Sequence, residues 1–103
     1  MSHVVFDPKY SGETTTRTFD FTSQLAVGET ISTQAVAATV YSGVDASPSS
    51  IINGSASASG AIVSQSITAG TEGVIYRLTC TITTSASQTL LMTAFLALIP
   101  NVT

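Results

Sequence analysis

Charge is nearly absent from this chain. Lys9, Arg17 and Arg77 are its only cations, and six carboxylates bring the charged fraction to 9% of 103 residues, where a typical soluble domain carries about 25%. Neutralising phosphate or an anionic bilayer requires clustered Lys and Arg, so neither nucleic acid nor a membrane is an expected partner. Cysteine is as scarce. Cys80 stands alone, which excludes an internal disulfide and any zinc–cysteine cluster. The first ten residues, MSHVVFDPKY, lack the basic region and long apolar core of a signal peptide. The longest apolar stretch, Leu90 to Pro100, is interrupted by Thr93 and is too short to span a bilayer. Folding in a reducing cytosol is therefore expected, whatever the later destination.

What the chain has instead is hydroxyl and branched apolar side chains. Hydrophobic residues make up 44%, and 17 Thr and 15 Ser supply the polar surface. That composition excludes bulk disorder. The length suits one domain, which removes roughly 65% of the unfolded chain's surface from water without needing disulfides. A hydroxyl surface solubilises weakly, so part of it is expected to be covered in an assembly.

Threonine, Val, Ile and aromatic residues recur in short runs punctuated by Gly, Ser, Asp and Pro, the pattern of strands and turns. No window shows a helical stripe. Residues 1–13 read as an arm or first short strand, with Val4 to Tyr10 broken at Asp7-Pro8, and residues 14–103 as the domain. Phe19 and Phe21 share one face of the next strand, followed by a connection in which Leu25 turns inward and Gly28 bends the chain. Ile31 to Tyr41 keeps Val36, Ala38 and Val40 in phase. Ile51-Ile52 reads as a short strand closed by the turn pair Asn53-Gly54. Ala61 to Ile67 is a further strand. In the clearest one, Val74, Tyr76, Leu78, Cys80 and Ile82 occupy one face, with Arg77, Thr79, Thr81 and Thr83 opposite. Thr89 to Ile99 closes the chain and is apolar on both faces, so a place inside a sheet or against another subunit is expected. About seven antiparallel strands at this spacing predict an all-β, immunoglobulin-like sandwich. Its core should hold Phe19, Phe21, Val40, Tyr76, Leu78 and Ile82.

Catalysis finds little to work with, and no catalytic, cofactor-binding or metal-binding residue is assigned. His3 reads as an exposed terminal residue. Asp7, Glu13, Asp20, Glu29, Asp45 and Glu72 are scattered over turns and outward positions, as solvated charges and not as an acid/base pair or calcium loop. Cys80 falls on an inward phase, where a thiol is unreactive. Gly70 and Gly73 lie between strands, not before a helix, so they form no phosphate cradle. Asn53-Gly-Ser and Asn101-Val-Thr match the glycosylation sequon, but without a secretory signal they read as coincidence. A carbohydrate-binding module would present lined-up aromatics, for which only Tyr10 and Tyr41 are candidates. Tyr76, early in its strand after Glu72-Gly73, stands where immunoglobulin-like domains place a tyrosine whose hydroxyl bonds to upstream backbone.

Several runs together carry a resemblance: Phe19-Asp-Phe21, Leu25-Ala-Val-Gly-Glu-Thr-Ile31, Gly73-Val-Ile-Tyr-Arg-Leu-Thr-Cys-Thr-Ile82, Thr84-Ser85 and the closing apolar strand. Over roughly residues 14–98 the chain resembles small tailed-bacteriophage structural proteins of immunoglobulin-like fold, the fibre–tail adaptors. It departs from them in its Ser/Ala-rich middle and its lack of tryptophan. The resemblance implies a non-enzymatic virion component that links tail to fibre or neck proteins, present as a homo-oligomer in the particle and using no cofactor. Related sandwiches decorate capsids, so a cement protein clamping the head shell is the alternative, and a glycan-binding tail module the alternative of another class. The uncharged surface, the two-faced last strand and the apolar arm Val4-Val-Phe6 all agree with a chain held between other proteins.

Overall fold

Strand pairing follows the alternation. In the computed structural model, residues 3–5, 9–10 and 12–99 are described, with side chains for residue 10 and for 12–99. They form β1 (His3–Val5), β2 (Lys9–Tyr10), β3 (Thr15–Asp20), β4 (Ile31–Ser42), β5 (Ile52–Ser59), β6 (Ile62–Ile67), β7 (Ile75–Thr84) and β8 (Thr89–Ile99), with 3₁₀ turns at Thr22–Gln24 and Pro48–Ile51. The larger sheet runs β1–β8–β7–β4, with β2 also on β8, and the smaller runs β3–β6–β5. The β7–β8 hairpin is its most regular part, in unbroken register from Ile75↔Ala97 to Thr83↔Thr89.

Six strands, not seven, pair antiparallel. The expected first strand is instead two short pieces, β1 and β2, which run parallel to β8. The first strand's chain continues into the opposite sheet, so no hairpin obliges it to run antiparallel to its neighbour. From Val5 to Lys9 it advances four residues while β8 advances three, Phe95 to Leu98, so the two pieces differ in register by one. Asp7 and Pro8, the expected break, lie outside the described residues. The last strand does sit inside a sheet, between β7 and the arm.

One core joins the two sheets. Phe19, Val63 and Ile67 come from the smaller, while Tyr76, Leu78, Cys80, Ile82, Ala94 and Leu96 come from the larger, and Phe21 and Ile51 close it from the turns. Of the six expected core residues, five are fully buried. Val40 is only half-buried against the cluster, because β4 is an edge strand covered by one sheet neighbour.

The Asn53-Gly54 pair makes no hairpin. Strand β5 runs straight through it, with a register shift between Asn53 and Ser57, and the chain reverses at Gly60-Ala61. Gln65, buried on β6, is the reason: its Nε2 donates into the carbonyls of Asn53, Gly54 and Ser66. A bulge whose free carbonyls meet a buried amide is stable inside a sheet.

Candidate functional site

Both ends of the two-sheet body are tied by a side chain that crosses between loops. At one end the buried Tyr76 hydroxyl accepts from the Thr71 amide and donates to Asp45 Oδ2. Asp45 Oδ1 in turn accepts from the Ser47 amide. The expected bond to upstream backbone is present; the carboxylate partner, 31 residues away, was not foreseen. Gly70 completes this corner at φ +104°, where a Cβ would stand 2.9 Å from Leu98 Cγ. Only glycine suits both the backbone and the space.

At the other end Thr84, 2% exposed, donates its hydroxyl to Glu29 Oε2. Thr84 Oγ1 also accepts from the Ala86 and Gln88 amides, while Glu29 Oε1 takes the Ala26 amide. Ser85 adds a two-way link: its amide donates to the Thr30 carbonyl, and its hydroxyl oxygen accepts from the Thr30 amide. The runs Leu25–Ile31, Gly73–Ile82 and Thr84-Ser85 that carry the family resemblance are thus the parts that lock these corners.

Four of the scattered carboxylates, Glu13, Asp20, Glu29 and Asp45, accept hydrogen bonds at turns. Asp20 accepts from the Thr22 hydroxyl and amide, and Glu13 from the Tyr10 amide. The Tyr76 hydroxyl and then the Ser47 amide hold Asp45 below its ordinary value of 3.8. The Thr84 hydroxyl and then the Ala26 amide hold Glu29 below 4.5. The unfolded chain therefore takes up protons first as pH falls. Stability should be full above about pH 5 and decline as pH drops through the lowered folded values. Urea midpoints at pH 7 and pH 3 check this: Glu29→Gln should narrow the difference between them, and an unchanged difference would contradict the anchor role.

Cys80 is fully buried, and burial pushes its thiol up to about 12. A disulfide reagent should label it only upon unfolding; labelling of the folded protein at the rate of free cysteine would contradict its place in the core.

Two clefts open on the surface. One of about 510 Å³ lies between the Gln24–Glu29 connection and Ser85, Ala86 and Gln88. Its one titratable group, Glu29, is already engaged by Thr84 and Ala26. The other, about 280 Å³, lies between β4 and β5 beside Gln34 and Gln65, and no ionisable side chain lines it. Asn53, of the first sequon, is exposed and bonds Ser66. The side chains of His3, Val4 and Asp7, together with Phe6 and Asn101, lie outside the described residues.

The two outer faces differ in chemistry. The smaller sheet presents Thr16, Thr18, Asp20, Ser64 and Ser66 outward, with Ile62 its large apolar residue. The larger sheet presents Ile75, Leu91, Phe95, Ala97 and Ile99 among threonines. Tyr41, 62% exposed, meets Phe95 edge-on at 4.7 Å between ring centres. Tyr41 thus lies on the apolar outer face of the larger sheet.

No curated protein and no solved structure matches this chain. A family model described as podophage GP4 fiber-tail adaptor protein gp77 matches residues 9–97. That span takes in the Tyr76–Asp45 and Thr84–Glu29 links, every strand from β2 to β7, and β8 as far as Ala97. The chain belongs to the podophage GP4 fiber-tail adaptor protein gp77 family.

Proposed function

We propose that this chain is a non-enzymatic structural part of a tailed-phage virion, an adaptor that joins tail to fibre or neck proteins through protein–protein contacts. Family membership over residues 9–97 carries the reading. Residues 14–103 serve as the domain, an immunoglobulin-like sandwich with six antiparallel strands, and residues 1–13 as an arm, whose described pieces β1 and β2 pair with β8. No residue acts as catalyst, cofactor ligand or metal ligand, and several copies stand around the tail axis.

Physical features agree with that role. A joint must transmit orientation, and the Tyr76–Asp45 and Thr84–Glu29 corners stiffen the two ends of the body. Engaged carboxylates and a buried thiol leave little to activate a substrate. A rigid body with one apolar outer face is suited to being clamped.

Particles assembled in a host unable to make the protein test the reading. Tails without attached fibres are expected. Particles with complete fibres and normal infectivity would overturn it, and loose heads would favour the cement role.

A further inference from the structure

We propose that the outer face of β4, β7 and β8 is the surface this adaptor uses to seat a second virion protein, and that the partner meets it with an apolar patch carrying one carboxylate, opposite Arg77. The inference rests on the adaptor reading and adds which face is used and what chemistry it demands.

Sheet alternation defines the face. Even-numbered residues of β7 and β8 from Tyr76 to Thr84 and from Met92 to Leu98 are buried inward, so the odd-numbered ones stand outward. On β4, Ala38 is the buried inward residue and Ala37, Thr39 and Tyr41 face out. The surface so formed is alanine, threonine and large apolar side chains, with the Tyr41–Phe95 pair meeting above β7. Leu91 is 44% exposed on it. Leaving such a patch in water costs free energy that covering it recovers.

Size fits one small interface. Nine register pairs join β7 to β8, which at about 3.3 Å per residue gives a length of about 30 Å. The three strands of the face are about 14 Å wide at a spacing of about 4.8 Å. The projected area is about 430 Å² before side-chain relief is added, about half the ~800 Å² that one partner contributes to a standard interface and so at the small end of specific contacts.

Charge selects the partner. Arg77 is exposed on this face, between Thr39 of β4 and Phe95 of β8. No carboxylate among the described residues pairs with it, and Asp20, Glu29 and Asp45 are committed to their own turns. Covering a guanidinium without an anion leaves a buried unpaired charge, so a docked partner must bring a carboxylate, which the planar fork accepts in bidentate fashion. A second copy docked face to face would bring a second Arg77 and no free acid from that same surface. The occupant is therefore a different protein.

A photo-crosslinking residue in place of Leu91, and separately in place of Ser64 on the opposite sheet, tests this in assembled particles. The Leu91 variant should link to another virion protein at an apolar segment containing Asp or Glu, and the Ser64 variant should not give that product. Arg77→Glu should fold with an unchanged urea midpoint yet enter particles about tenfold less or worse, because like charges then face each other. Links from Leu91 to a second copy, links from Ser64 alone, or normal incorporation of Arg77→Glu would each overturn the proposed face. Absence of the wild-type protein from particles would instead defeat the adaptor reading itself, so the two failures are distinct.

Discussion

Replacing Leu78 with alanine should destabilise the protein by about 2–5 kcal/mol. Leu78 is fully buried at the middle of β7, and its neighbours in register are Ala38 on β4 and Ala94 on β8. Those methyl-sized flanks cannot swing into the vacated space, so the cavity stays open and the loss should fall toward the upper part of the range. A lower urea midpoint with an unchanged slope is the expected reading. Leu91→Ala, on the outer face of the same hairpin, should cost less than about 1 kcal/mol. Equal losses at the two sites would show that the inner and outer faces of the larger sheet have been exchanged.

Tyr76→Phe is expected to cost about 1–3 kcal/mol although the ring stays in place. The change strips the Thr71 amide of its acceptor and Asp45 of one of its two donors, the other being the Ser47 amide. Burial and the bond to Asp45 both raise the Tyr76 hydroxyl above its ordinary value, so it acts as a neutral donor at any physiological pH. Asp45→Ala alone should weaken the same corner. The double variant should then lose less than the sum, since both changes remove one shared interaction. Strict additivity would mean that the corner is no coupled unit. Faster hydrogen exchange at the Thr71 amide should accompany the loss, as the 43–50 and 68–74 loops come apart.

How much of this was legible from residues alone depends on the range of the interaction. Strand β7 was plain because its alternation is local, and the bounds of β8 follow from the Ser85–Ser87 turn and the closing Ile99. Tyr76 could be read as a corner because its backbone partner is five residues away. Asp45 could not, since nothing in the loop Ser42–Ser50 marks a partner 31 residues further on. The Asn53-Gly54 pair misled for a similar reason. Its turn preference is intrinsic, but Gln65 on the neighbouring strand rewards the extended bulge instead. The parallel course of the arm beside β8 was equally hidden, because no local pattern distinguishes parallel from antiparallel pairing in two short pieces.

The same division holds for the candidate site. Scarcity of charge was visible in the sequence and pointed to a covered surface. Which surface it is emerged only with the register, which collects Tyr41, Ile75, Arg77, Leu91 and Phe95 from three strands onto one side. The opposite sheet carries as little charge but offers hydroxyls where this one offers rings and aliphatic groups. Burial of apolar area, not the absence of charge, separates the two.

Cryo-electron microscopy of intact particles tests the central claim most directly. The account predicts density for a two-sheet domain of this topology at the junction of tail and fibres, in several symmetry-related copies, with the β4–β7–β8 face covered by a different protein. Density on the head shell, or particles that contain none of this protein, would contradict it.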